Sequence, residues 1–158
     1  MNNLKLFKAL FIIGLLAGIS ACTELNKKES VSEEDLFEIQ HSADAAYQKD
    51  DLVEAEKHYT ALVKAVPSEP INWFRLGNIY ARTKRPDAAI TAYREVLVRD
   101  PQFANAWYNM GIVQLKEAAH SFTQLQIYTG EDQPLYGQSR RVVDGILNIL
   151  KNDNGNGE

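Results

Sequence analysis

The sequence predicts an all-α fold, a short α-solenoid of antiparallel helix pairs closed by a C-terminal helix. Three observations carry this. Trp73 opens Trp73-Phe-Arg-Leu76-Gly77-Asn-Ile-Tyr80 and Trp107 opens Trp107-Tyr-Asn-Met110-Gly111-Ile-Val-Gln114. The two tryptophans stand apart by the period of a helical-hairpin array, about 34 residues. Pro86 and Pro101 stand where a residue without an N–H starts one helix harmlessly and stops another. Near the C-terminus Val142, Val143, Ile146, Leu147 and Leu150 form an apolar stripe at helical spacing.

The elements follow in chain order. Residues 1–21 read as a secretory signal: Lys5 and Lys8 form a positive start, Ala9 to Ile19 is an uncharged run, and small residues precede a cleavage point. That run is short for a transmembrane helix, which needs roughly 20 apolar residues. Ile19-Ser20-Ala21-Cys22 resembles the lipobox of bacterial lipoproteins, which implies cleavage before Cys22 and covalent lipid, palmitate included, on that cysteine. Cys22 is the only cysteine, so an internal disulfide is impossible. Thr23 stands where aspartate retains many Gram-negative lipoproteins at the inner membrane. The resemblance therefore implies delivery to the outer membrane, facing the periplasm.

Removing 21 residues leaves 158 − 21 = 137, enough for one domain, and the loss of two lysines takes the net charge from −4 to −6. An acidic chain without clustered basic surface excludes nucleic acid as the expected partner. Residues 22–31 are polar and aperiodic, a tether behind the lipidated cysteine. A first helix is expected to begin near Ser32, because Ser32-Glu-Glu-Asp35 places a hydroxyl at the cap and carboxylates in the first turn.

Residues 70–103 carry the fullest repeat. Counting from Pro70, Trp73 is fourth, Leu76 seventh, Gly77 eighth, Tyr80 eleventh, Ala89 twentieth, Tyr93 twenty-fourth and Pro101 thirty-second. These residues in these places resemble the tetratricopeptide (TPR) repeat, in which small residues allow two antiparallel helices to cross closely and large ones fill the seam. On that pattern both tryptophans mark seam cores. A thinner copy over 36–69 has Ile39, Ala43, Ala55, Tyr59 and Pro67 in matching places, but Ser42 and Ala46 where larger residues are usual. A partial copy over 104–134 keeps Trp107, Met110 and Gly111, then loses its turn punctuation between Leu115 and Phe122. One long helix from about Ala104 to Tyr128 is favoured there; the alternative is a third hairpin turning at Ala118-Ala119-His120. Thr129 to Pro134 breaks the chain, residues 135–151 form a closing helix, and 152–158 read as a disordered tail. The TPR domain thus spans 32–151 with about six helices.

The resemblance also implies where a partner binds. In such arrays the first helix of each repeat lines a concave face, through positions that here are Phe37, Gln40, Asp44, Tyr47 and Gln48; Ile71, Phe74, Asn78, Ala81 and Arg82; and Asn105, Tyr108, Ile112, Leu115 and Lys116. Asn78 and Asn109 stand where asparagines hold peptide main chain in some members. A lysine-based carboxylate clamp is disfavoured, because Phe74 occupies the place of its first lysine. The expected groove is Phe74, Asn78, Arg82, Tyr108, Asn109, Ile112 and Lys116, with exposed aromatics as anchors. The alternative is that the closing helix covers Phe74 and Tyr108, or that they pack on each other.

Catalysis has little support. His41, His58 and His120 are isolated without metal-ligand spacing, and the chain has no phosphate loop and no Gly-x-Ser-x-Gly. No cofactor is expected beyond lipid on Cys22. The sequence therefore points to a non-enzymatic, membrane-tethered adaptor that binds a peptide or protein and supports a cell-envelope machine of the pilus or secretion type. An adaptor of cell-wall hydrolases and a self-associating envelope lipoprotein, including a homodimer, stand as alternatives.

Overall fold

The computed structural model describes residues 32–153, and within them the chain forms six helices and no strand. The signal segment 1–21, Cys22 with its tether to residue 31, and tail residues 154–158 lie outside the described residues. The helices are α1 (Glu33–Gln48), α2 (Leu52–Ala65), α3 (Pro70–Arg82), α4 (Pro86–Arg99), α5 (Ala104–Tyr128) and α6 (Pro134–Asp153). None of them is long and apolar enough to cross a membrane.

Local chemistry sets the boundaries. Three acids, Glu33, Glu34 and Asp35, occupy the first turn of α1, where they meet the positive end of the helix dipole. Asp51 caps α2 by accepting from the Glu54 N–H at 3.2 Å. Pro70 and Pro86 take the first turns of α3 and α4. The turns inside the two hairpins are copies of one another. Asp50 and Lys84, one repeat apart, both adopt left-handed backbone, with φ of 63° and 59°. After each, an N–H reaches back to a carbonyl near the end of the preceding helix, Asp51 to Ala46 at 3.0 Å and Arg85 to Tyr80 at 2.9 Å, which satisfies helix-end acceptors.

The helices pack as successive neighbours: α1 on α2, α2 on α3, α3 on α4, α4 on α5 and α5 on α6, with one further contact between α3 and α5. Two apolar cores result. The first joins Ala43, Ala55, Tyr59, Leu62 and Val63 of the opening hairpin to Leu76 and Ile79 of α3. The second joins Phe74, Ala89, Tyr93 and Val96 to Ala106, Met110 and Val113 of α5. Trp73 and Tyr80 pack against both and link them. At the crossing of α3 and α4, Gly77 lies against the Tyr93 ring so tightly that a Cβ would stand 2.5 Å from it. Ser42 and Ala46, the small residues of the opening repeat, are only half-buried.

The third repeat departs from the second in two respects. α5 runs unbroken through 118–120, so that no hairpin turn forms there. The helix that would have covered Trp107 is therefore missing, and Trp107 is 54% exposed. This corrects its expected place in a seam core. Trp107 still donates its Nε1–H to the Pro101 carbonyl at 3.0 Å, as Trp73 does to Pro67 at 3.0 Å. The register of the repeat is thus kept where its core is not. α6 packs on α5 through Ser139 and Ile146, which are buried, and it continues to Asp153, into the stretch expected to be tail.

Candidate functional site

The first helices of successive repeats meet on one side of the array, the C-terminal parts of α1 and α3 against the N-terminal half of α5. There α3 and α5, with the end of α1, enclose a concavity of about 250 Å³. Six of the seven expected groove residues line it: Asn78, Arg82, Tyr108, Asn109, Ile112 and Lys116. They are joined by Tyr47, Ala81, Tyr93 and Val113.

Phe74 is the seventh, and its expected exposure is corrected. Its side chain turns into the core between α3, α4 and α5, 9% exposed, with its ring 5.0 Å from Phe103 and 6.0 Å from Tyr93. The cause is Phe103, immediately before α5, which supplies an aromatic partner on the interior side. Neither the closing helix nor a stack on Tyr108 accounts for this burial. Tyr108 itself remains open, 52% exposed.

The floor of the groove is an amide pair. The Asn78 Oδ1 accepts from the Tyr93 hydroxyl at 2.8 Å and from the Asn109 Nδ2 at 2.9 Å. These bonds fix both side chains and leave the Asn78 amide nitrogen and the Asn109 amide oxygen without partners among the described residues. One donor and one acceptor, side by side, match the two polar groups of a peptide unit. Burial pushes the Tyr93 hydroxyl up to about 12, so it stays a neutral donor at any physiological pH. The opening repeat uses the same geometry with a different acceptor. Tyr59, one repeat before Tyr93, donates to Asp44 at 2.5 Å, and Gln40 donates to the other Asp44 oxygen at 3.1 Å. Burial and then that carboxylate hold Tyr59 above the ordinary phenol range. The third repeat places Ile112 and Ile127 at the corresponding positions, so this polar support ends at Asn109.

The basic rim is less uniform than the sequence indicates. Arg82 forms an ion pair with Asp50 and lies 5.6 Å above the Tyr47 ring, which Arg75 faces at 4.8 Å. Arg82 therefore acts first as a brace between the opening turn and α3. Lys116 is exposed and forms no ion pair among the described residues, so it supplies the groove's unneutralised charge. Tyr47 is the wall residue that pattern reasoning undervalued; its position corresponds to Ala81 one repeat later, and its importance comes from the two arginines that stack on it.

A second, larger cleft of about 440 Å³ adjoins the groove along α5 and shares Tyr108 and Ile112 with it; Trp107, Gly111 and Leu115 line the rest, with Ile149 and Asn152 of α6. Among the described residues, no three of His, Cys, Asp and Glu gather as a metal site.

Comparison with known proteins follows the same lines. Among solved structures, the first TPR of Spaghetti (RPAP3) bound to an HSP90 peptide, SRMEEVD, superposes with a TM-score of 0.51 at 14% identity, covering 75% of this chain and 98% of that one. The Sgt2 TPR domain from Aspergillus fumigatus gives 0.51 at 15% identity, covering 84% and 90%. Both likenesses concern the fold. Among curated proteins, peroxisomal targeting signal receptors of Kluyveromyces lactis and Saccharomyces cerevisiae are 33% and 32% identical over 89 and 78 residues, 51% and 46% of this chain. The chain spans only 16% and 13% of their lengths. The tetratricopeptide repeat model matches residues 42–102 and again 75–121. Together these matches run from 42 to 121, just over half of the 158 residues, and the chain belongs to the tetratricopeptide repeat family.

Proposed function

We propose that this protein is a membrane-tethered adaptor that holds an extended segment of a protein partner in the α3–α5 groove. The observation that carries this is the amide pair. Asn78 and Asn109 are locked by Tyr93 and present a free donor beside a free acceptor, between the open ring of Tyr108 and the stacked ring of Tyr47. Amides of this kind bind main chain whatever its sequence, while aromatic walls and Lys116 select side chains. The family supports the reading, since repeat arrays use concave surfaces for recognition. So does a fold neighbour that is itself bound to a peptide.

The tether is the second half of the proposal. Ile19-Ser20-Ala21-Cys22 supports lipid attachment at Cys22, and Thr23 supports residence at the outer membrane facing the periplasm. An adaptor held there serves assembly of an envelope machine of the pilus or secretion type. Photo-crosslinking from position 108 of the full chain in cells, with position 94 on the opposite helix as control, tests the groove. A protein adduct from 108 and not from 94 is the supporting result; lipid alone, or equal adducts at both positions, overturns the assignment. Cys22→Ser tests the tether: the chain leaves the membrane fraction if the lipid anchors it and stays if it does not.

A further inference from the structure

Among the described residues, eight of the twelve exposed large apolar side chains lie on α5 and α6. They are not scattered on α6. Leu135, Val142 and Ile149 follow one another at heptad intervals and are 54%, 39% and 53% exposed. A heptad falls about 20° short of two full turns, so the three share one face over roughly 21 Å. Between them on that face stand Gln138, Gly145 and Asn152, also exposed and also uncharged. The result is an a/d ridge with no charge in it, distinct from the Ser139 and Ile146 side that α5 already covers. The ridge runs into the α5–α6 cleft, where Ile149 and Asn152 meet Trp107 and Leu115.

Gly145 identifies the occupant. A glycine within a helix costs about 1 kcal/mol relative to alanine, and a Cβ here would meet nothing within 4 Å. No neighbour among the described residues requires this position to be small. In an antiparallel helix pair, a residue at one a position packs against a d position of the other helix. Placing a second α6 against this face sets Val142 over Gly145 of the second copy, Leu135 over Asn152 and Ile149 over Gln138, and the same pairs recur in reverse about a two-fold axis. Such an isologous match is what a dimer interface requires. A half-exposed aromatic offers about 100 Å². With Trp107, Leu115 and the three ridge residues from each copy, the covered area is on the order of 1,000 Å², the size at which interfaces become specific.

We infer that the α6 ridge is a dimerisation surface, pairing two copies of this chain antiparallel with Val142 of each seated on Gly145 of the other. The ridge residues Leu135, Val142 and Ile149 lie outside the peptide groove, although the cleft they run into shares Tyr108 and Ile112 with it. The test uses the full chain with Val142→Cys, or with Arg140→Cys on the back of α6, treated in cells with a short bismaleimide; the parent chain with Cys22 sets the baseline. The expected result is a product of twice the chain mass at 142, in about ten-fold excess over 140, because a docked pair raises effective concentration at the seam alone. Leu135→Glu with Ile149→Glu then abolishes that product while circular dichroism stays helical. No product at 142, equal products at 142 and 140, or an adduct of a different mass at 142 would each overturn the inference.

Discussion

Two glycines one repeat apart make a matched experiment, since the same substitution should act with opposite sign at each. In Gly77→Ala the new Cβ would lie 2.5 Å from Cε1 and 2.6 Å from Cδ1 of Tyr93. Ordinary carbon contacts are about 3.5–4 Å, so about 1 Å of space must be opened. Tyr93 cannot yield easily: it is 1% exposed, and its hydroxyl is held by Asn78 at 2.8 Å. Overpacking of this kind costs about 1–3 kcal/mol, and alanine's better helix propensity returns about 1 kcal/mol. The net expectation is a loss of up to about 2 kcal/mol. At Gly111 a Cβ meets nothing within 4 Å, so only the propensity term remains and Gly111→Ala gains up to about 1 kcal/mol. For a domain of this size that separates the two variants by up to about 12 °C in Tm, at roughly 4 °C per kcal/mol. Thermal and urea unfolding followed by far-UV circular dichroism measures both. If Gly77→Ala stabilises as Gly111→Ala does, the Tyr93 ring does not close on α3. If Gly111→Ala destabilises as Gly77→Ala does, a neighbouring side chain closes on α5 at Gly111 as Tyr93 closes on α3.

Phe74→Ala removes a ring packed between Phe103 and Tyr93 and is expected to cost about 3–5 kcal/mol in urea unfolding, whereas Tyr108→Ala leaves stability within about 0.5 kcal/mol. Tyr59→Phe strands a carboxylate that keeps only Gln40, while Tyr93→Phe leaves Asn78 its bond from Asn109. The first should therefore cost about 2 kcal/mol and the second about 1 kcal/mol, because bonds to charged acceptors are worth more. Glu56 is held below the usual carboxylate range by its hydrogen bonds from Arg85, at 2.8 Å through Nη1, in a pair that ties α2 to the α3–α4 turn. A depressed carboxylate contributes stability above its unfolded pKa and loses it as pH falls through the folded one. Both partners are partly exposed, so Glu56→Gln should cost less than about 1 kcal/mol at neutral pH. In unfolding at a pH well below the carboxylate range, the variant and the parent chain should be equally stable.

The fold is legible because the repeat writes it several times in small, physically constrained residues. Gly77 and Ala89 permit one close crossing, and the carbonyls of Pro67 and Pro101 receive the same tryptophan bond. The missing turn residues between Leu115 and Phe122 correspond to the unbroken α5. Less legible is which way a side chain turns when its position borders two surfaces. Phe74 sits on the groove helix, and Tyr93 of α4 and Phe103 beyond it draw it inward. Arg82 reads as a free cation until Asp50 and Tyr47 are seen beside it. The amide pair shows the same limit. Asn78 and Asn109 are suggestive in sequence, but the Tyr93 hydroxyl decides which amide atoms remain available. Pattern gives position along a helix; pairings distant in sequence give orientation.

Each helix touches the next, and α3 and α5 alone add a contact beyond nearest neighbours. A chain arranged in this way has no single point at which it must come apart. Its ends open first, α1 on the thin side and α6 at the other end, at a free energy below that of global unfolding. Amide exchange in the monomer should then rise outward from α3 and α4, with slow protons at Ile79, Ala92 and Val96 and fast ones in α1 and α6. The floor of the groove, where Tyr93 of α4 holds Asn78 of α3, would keep its shape while the ends of the array breathe.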